Sequence, residues 1–262
     1  MNISSKHLLV GDQVSQMECS KNKLKFESGL PDTIVIHYTA GRSAESSARE
    51  LCNPVVKASA HLVIGREGEI YQLVPFDTIT WHAGESFYGG RSGLNKYSIG
   101  IEIDNAGQLE KVGSEYKAWF GKKYQENEVL YAAHRNNSTK SYWHLYTEKQ
   151  IEACRQVCVE LMKQYKITTI VGHEEIAPKE RLIRALLFHL INSGITCFRK
   201  TVQMSRMKSI RRVLCLPISL IYAMVQELIL RRLPSPFVRE ANLLYWRKWM
   251  AGTKLKQKLL VG

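Results

Sequence analysis

The sequence is short of several features that would assign it at a glance. Its 6 cysteines, Cys19, Cys52, Cys154, Cys158, Cys197 and Cys215, form no CxxC pair. That spacing excludes the usual structural zinc modules and offers no evident disulfide framework. The opening stretch MNISSKHLLVGDQVSQ lacks the long apolar run of a secretory signal, so synthesis in a reducing cytoplasm is the expectation. A membrane-spanning helix needs about 20 apolar residues. Val213 to Val225 supplies 13, interrupted by Pro217 and followed by Gln226 and Glu227. Arginine pairs flank it at Arg211-Arg212 and Arg231-Arg232, so a membrane contact would take the form of an interfacial basic helix over 213–230.

Acidic residues are scarce in one part of the chain only. Residues 179–262 carry 17 Lys and Arg against 3 Asp and Glu, a net +14, while the remainder carries 20 against 21. The overall charge of +13 therefore belongs to the tail. Such asymmetry can mark a nucleic-acid or membrane segment, but no nucleic-acid-binding motif accompanies it, and no nucleic-acid partner is expected. It also fits a segment never selected to fold. The expected organisation is an N-terminal extension over 1–30, one nearly neutral domain over 31–178, and a basic tail over 179–262.

The first two-thirds carries clear periodicities. Thr33 to His37 reads as a buried strand ending in a polar turn. Ser43 to Cys52 reads as a short helix with Ser43 as its N-cap. His61 to Ile64 and Glu69 to Val74 flank Gly65-Arg66-Glu67-Gly68 as a hairpin. In Ser98 to Ile103 the isoleucines share one face and Gly100 and Glu102 the other. Thr147 and Gln150 form a capping box ahead of a helix that buries Ile151, Cys154, Cys158, Leu161, Met162 and Tyr165. Ile167 to His173 returns as a strand. The expected fold class is α/β or α+β, a mixed central sheet flanked by helices. Residues 111–146 crowd aromatics into a polar stretch without clear period, which predicts a long loop held down by aromatics, a stacking wall for a sugar or peptide ligand, or both.

The chemistry concentrates on histidines. His37 and His173 each end an isoleucine-valine strand, His82 sits in a turn and His61 opens a strand. Strand C-termini are where α/β sheets place their sites. Neutral imidazole suits zinc, and a catalytic zinc takes three protein ligands and a water whose pKa it lowers to roughly 7. Glu102, opposite the isoleucines and beside Gly100, is placed to accept or position a proton of that water, with Gly100 leaving room for substrate. A half-solvated structural glutamate is the plain alternative.

Five motifs then occur in order: Thr33-Ile34-Val35-Ile36-His37-Tyr38-Thr39-Ala40, Ser59-Ala60-His61-Leu62-Val63-Ile64, Trp81-His82-Ala83-Gly84, Ile99-Gly100-Ile101-Glu102 and Val171-Gly172-His173-Glu174-Glu175-Ile176-Ala177-Pro178. Over about residues 30–178 the chain resembles the zinc-dependent N-acetylmuramoyl-L-alanine amidases, a family that includes phage endolysins and peptidoglycan recognition proteins. The resemblance implies hydrolysis of the amide between N-acetylmuramic acid and L-alanine in peptidoglycan or its fragments. It implies Zn2+ on His37 and His173, Glu102 beside the water, and a substrate cleft drawing on Tyr38, His61, Trp81 and His82. Release to the cell wall would follow if the chain works as an endolysin does.

One part of the pattern is missing. The family's third ligand, an Asp or Cys, follows the second histidine by about ten residues, often within Lys-Thr-Asp-Pro-Gly-Pro. Here Ile183 holds that place and Arg181 that of the lysine. Lys179 to Leu190 can be back-translated, with synonymous codons freely chosen, so that one added A gives Lys-Arg-Lys-Thr-Asp-Pro-Gly-Pro-Ala-Phe-Pro-Leu. The aspartate then falls at position 183. The expectation is a lost base in an A-rich tract, an out-of-frame tail and an impaired zinc site. A non-catalytic peptidoglycan-binding module, membrane-associated through its tail, is the alternative.

Overall fold

A computed structural model describes residues 1–134 and 137–177. Of two units, Met1–Cys197 and Phe198–Gly262, the first contains every described residue. Pro178, Ile183, the tail over 179–262 and the candidate interfacial helix over 213–230 lie outside the described residues. Among the described residues no helix is long and apolar enough to cross a membrane.

The chain begins with short strands β1 (Asn2–Ile3), β2 (Leu9–Val10) and β3 (Val14–Gln16), then β4 (Thr33–Tyr38) and helix α1 (Ala44–Cys52). It continues through β5 (Leu62–Ile64), β6 (Ile70–Gln72), the ribbon β7 (Phe87–Tyr88) and β8 (Arg91–Ser92), and β9 (Ser98–Ile103). Strands β10 (Gln108–Val112), β11 (Glu115–Lys117), β12 (Lys123–Tyr124), β13 (Val129–His134) and β14 (Asn137–His144) follow. Helix α2 (Glu148–Gln164), β15 (Thr169–Gly172) and the single turn α3 (His173–Ile176) close the described chain.

The central sheet has six strands in the order β15-β4-β9-β5-β6-β3. The first four are parallel, β6 runs antiparallel to β5, and β3 pairs parallel with β6. This is the mixed sheet with flanking helices that the periodicities predict. The first thirty residues, expected as an extension, contribute β3 to that sheet.

One face of the sheet is dry. Ile34 and Ile36 of β4, Ile99, Ile101 and Ile103 of β9, and Leu62 and Ile64 of β5 pack with Ala153, Cys154, Val157, Cys158 and Leu161 of α2. Branched side chains at alternate positions suit that pleated surface. Thr147 caps α2, accepting from the Gln150 N–H at 3.1 Å while the Gln150 side chain accepts from the Thr147 N–H at 3.1 Å. The buried stripe is rotated slightly from expectation. Ala153 and Val157 join Cys154, Cys158 and Leu161 inside, whereas Ile151, Met162 and Tyr165 are only partly buried. The opposite face is split between two small clusters, Val63 under Ala44 and Ala48 of α1, and Val35 with Ala83, Leu94, Val171 and Ile176.

The largest departure from expectation lies between residues 108 and 144. In place of a long loop there is a five-stranded sheet in the order β12-β11-β10-β14-β13. Lysines interrupt the aromatic alternation of its strands, which hides the two-residue period. Tyr116 and Tyr124 are buried with Leu109, Ala106 and Ala118. Lys111 lies over the Tyr116 ring at 5.4 Å, and Lys122 over Tyr124 at 5.2 Å. The interleaved charges thus pack on the aromatics through their stems and cationic heads.

Candidate active site

Three adjacent parallel strands deliver the site. His37 of β4 stands in register opposite Glu102 of β9. On the other side, Gly172 of β15 pairs with Ile36, and His173 follows it directly as the first residue of α3. Side chains in register on neighbouring strands share a face, so His37, Glu102 and His173 meet at one edge of the sheet, opposite the isoleucines. The His37 and His173 rings lie 4.9 Å apart between centroids, both buried, while Glu102 is half-buried. Burial, with His82 and His173 alongside, holds the His37 imidazole well below its ordinary pKa, so it is neutral near pH 7.

His82 is the third imidazole of this group. Its Nδ1 lies 2.9 Å from His37 Nε2, and its Nε2 lies 3.2 Å from both the Ser98 carbonyl and the Ser98 hydroxyl. Burial lowers its pKa to about 3, with His61 adding to the effect and the Ser98 carbonyl opposing it. The room for this ring comes from Gly100. A Cβ at that position would approach the His82 ring and its Cβ at 2.3, 2.7 and 2.8 Å. The space that the sequence reserved for substrate is therefore filled by His82. The turn is fixed from behind by Asn95, whose side-chain oxygen accepts from the backbone N–H groups of His82 at 3.0 Å and Ala83 at 2.7 Å.

His61 requires a correction. It is fully buried, stacked between Phe26 and Phe76, and both ring nitrogens are engaged. Nε2 donates to the Thr78 carbonyl at 2.8 Å, while Nδ1 accepts from the Gly100 N–H at 3.0 Å and lies 3.0 Å from the Thr80 hydroxyl. Burial lowers its pKa to about 4 against those contacts. A side chain in that position ties the hairpin to β9 and is closed off from solvent. Trp81, by contrast, is 40% exposed and directly precedes His82, with Lys21 Nζ 6.0 Å from its ring centroid. Tyr38 is half-buried, its ring over Gly107, where a Cβ would come within 2.5 Å of it. A groove there is lined by Tyr38, Asn105, Gly107, Trp143, His144 and Tyr146.

Four neighbours have no individual role marked in the sequence. Ser98 and Asn95 act on His82 and carry no motif of their own. Tyr146 has its phenol pKa raised by burial and by the nearby Tyr38, Glu174 and Glu102. It therefore shares its surroundings with both carboxylates, and the aromatic crowding before α2 was its one signal. Glu174 is buried, folded against Gly172 where a Cβ would stand 2.6 Å from its carboxylate oxygens.

The donor chemistry fits zinc in part. His37 and His173 bring two imidazoles side by side, and a catalytic zinc takes three protein ligands. Among the described residues no group of three or more His, Cys, Asp or Glu is arranged to hold a metal.

The family described as N-acetylmuramoyl-L-alanine amidase matches residues 27–182. The 1,6-anhydro-N-acetylmuramyl-L-alanine amidase AmpD of Citrobacter freundii is 47% identical over 62 residues, 24% of this chain and 33% of that protein. The N-acetylmuramoyl-L-alanine amidase AmiD of Escherichia coli K12 is 29% identical over 157 residues, 56% of this chain and 46% of that one. A solved complex of E. coli AmiD with anhydro-N-acetylmuramic acid-L-Ala-D-gamma-Glu-L-Lys aligns at 28% identity and TM-score 0.43, covering 59% of this chain and 53% of that chain. The matches span about a third of the length of the first relative and under half of the second.

Proposed function

We propose that this chain, which belongs to the N-acetylmuramoyl-L-alanine amidase family, carries the site of an enzyme that hydrolyses the amide between N-acetylmuramic acid and L-alanine in peptidoglycan or its fragments. The observation that supports this most is the convergence of His37, Glu102 and His173 at the ends of three adjacent parallel strands. Family members are generally zinc-dependent, and His37 and His173 are the residues that would hold the metal here. When bound, zinc supplies Lewis acidity for the scissile carbonyl.

Glu102 takes the proton that the attacking water must lose, and returns it to the leaving amine of L-alanine. Its half-buried position lets it reach solvent while facing the imidazoles. Trp81 and Tyr38 offer apolar ring faces against which a sugar or peptide backbone can lie. The site excludes bulk water on the side of His82, where burial of that ring closes the sheet surface.

Position 183 lies outside the described residues, and its isoleucine cannot ligate a metal. We propose that the chain as written is impaired by a lost base near codon 179, and that the aspartate of the family pattern stands one base away. The tail over 179–262, its contact with a membrane through 213–230, and synthesis in the cytoplasm with release to the wall in an endolysin-like role belong to the same reading.

Ile183 at the place of the third ligand favours a second reading, a module that binds peptidoglycan fragments without cleaving them. Release of peptide from a muramoyl-peptide, measured with and without added zinc, separates the two. Zinc-dependent turnover supports the enzyme, and binding without turnover supports the module. Sequencing the gene and restoring the base tests the frame: recovered turnover supports the lost base, and codons that cannot be shifted to the family ending overturn it. In an active chain Glu102→Gln is expected to lower turnover by about 10²–10⁴-fold.

A further inference from the structure

The hydrogen bonds around His82 leave little freedom in where its proton sits. The Ser98 hydroxyl gives its single proton to the Leu94 carbonyl at 2.6 Å. Toward His82 that hydroxyl can therefore only accept, and the Ser98 carbonyl, also 3.2 Å from His82 Nε2, can only accept as well. His82 Nε2 must be the protonated nitrogen, and Nδ1 is an acceptor. Its partner at 2.9 Å is His37 Nε2, which must then be the donor. A neutral imidazole carries one proton, so the lone pair of His37 is left on Nδ1.

We propose that His82 is a positioning residue whose hydrogen bond, backed by Ser98, holds the proton of His37 on Nε2 and makes Nδ1 the nitrogen through which His37 would ligate a metal. The inference rests on the reading of His37 as a ligand, and it concerns a proton placed before any metal arrives. A ligating histidine commonly has its other N–H held by an acceptor, which fixes tautomer and ring orientation. Usually that acceptor is a carboxylate, a carbonyl or water. Here it is a second imidazole, itself oriented by a serine. Gly100 makes the arrangement possible, because any Cβ there would strike the His82 ring.

The test uses the full metal-free chain labelled with nitrogen-15, reading histidine tautomers from two-bond proton–nitrogen correlations at neutral pH. His37 is expected as a single Nε2–H tautomer. His82→Phe should give a mixture of tautomers at His37, and His82→Asn, which keeps an acceptor near the place of Nδ1, should restore the single form. Zinc affinity by chelator competition should fall about 10–100-fold in His82→Phe and recover in His82→Asn. A His37 protonated on Nδ1 in the unaltered chain overturns the proposal without needing any variant. So does an unchanged tautomer in a folded His82→Phe chain. Should the unaltered chain show the expected tautomer yet take up no zinc, the metal reading fails while the proton placement stands.

Discussion

Strands β4 and β9 present two unlike faces built from the same twelve residues. Toward α2 they show Ile34, Ile36, Ile99, Ile101 and Ile103, a continuous apolar surface. Toward the other side they show Val35, His37, Gly100 and Glu102, with His82 seated over the glycine. The first face contributes burial and little chemistry. The second gives up some of that burial to hold imidazoles and a carboxylate together. Because side chains alternate, the sheet places stability and reactivity one residue apart.

The contrast can be broken most forcibly from the dry side. Ile101→Ala is expected to cost about 2–5 kcal/mol in chemical denaturation, leaving the His37 tautomer unchanged in whatever fraction stays folded. A shifted tautomer in that variant would mean the two faces are not separable.

Acid should act nearly as strongly, through the buried histidines. His61 titrates at about 4 in the fold against 6.5 when free. Between these values the unfolded chain holds a proton that the folded chain does not. The stability contributed by its neutral form is complete above pH 6.5 and drains away toward pH 4, by about 1.4 kcal/mol per pH unit for one such group. His61→Asn should reduce the slope of stability against pH in that window by about one proton. An unchanged slope would show that His61 does not carry it.

A smaller loss, about 1–3 kcal/mol, is expected for Gly100→Ala, since the new methyl displaces the His82 ring. The sharper readout is at the site, where the His37–His82 hydrogen bond should be lost. If melting and tautomer were both unaffected, the close seating of His82 on the sheet would be wrong. Smallest is Thr147→Ala, which removes the cap of α2 and should cost about 1 kcal/mol, with no effect on either histidine.

The dry face was legible in the sequence because five isoleucines keep strict alternation on two strands. His37, Glu102 and His173 were legible as strand-end residues within ordered motifs. The second sheet was not, because Lys111, Lys117, Lys122 and Lys123 sit among its aromatics and break the polar-apolar period. The difference between His61 and His82 was also hidden. Both stand in short motifs, yet one is enclosed by two phenylalanines and the other touches His37, and only packing tells them apart. Ser98 and Asn95 matter through a single oxygen each, which no residue pattern announces.

Strand β15 lies at the edge of the central sheet among the described residues, held along one side by β4 alone. It also brings in His173, a residue 136 positions away from His37 in the chain. Bringing together residues so distant in sequence costs loop-closure entropy, and local opening is easiest where few contacts protect the backbone. The two imidazoles are thus joined through an edge ladder of the sheet. Opening of Thr169–Gly172 alone would separate them while the isoleucine core stayed intact. Retention of anything the pair holds is then governed by fraying of one four-residue strand, which hydrogen exchange at those amides would register long before global unfolding.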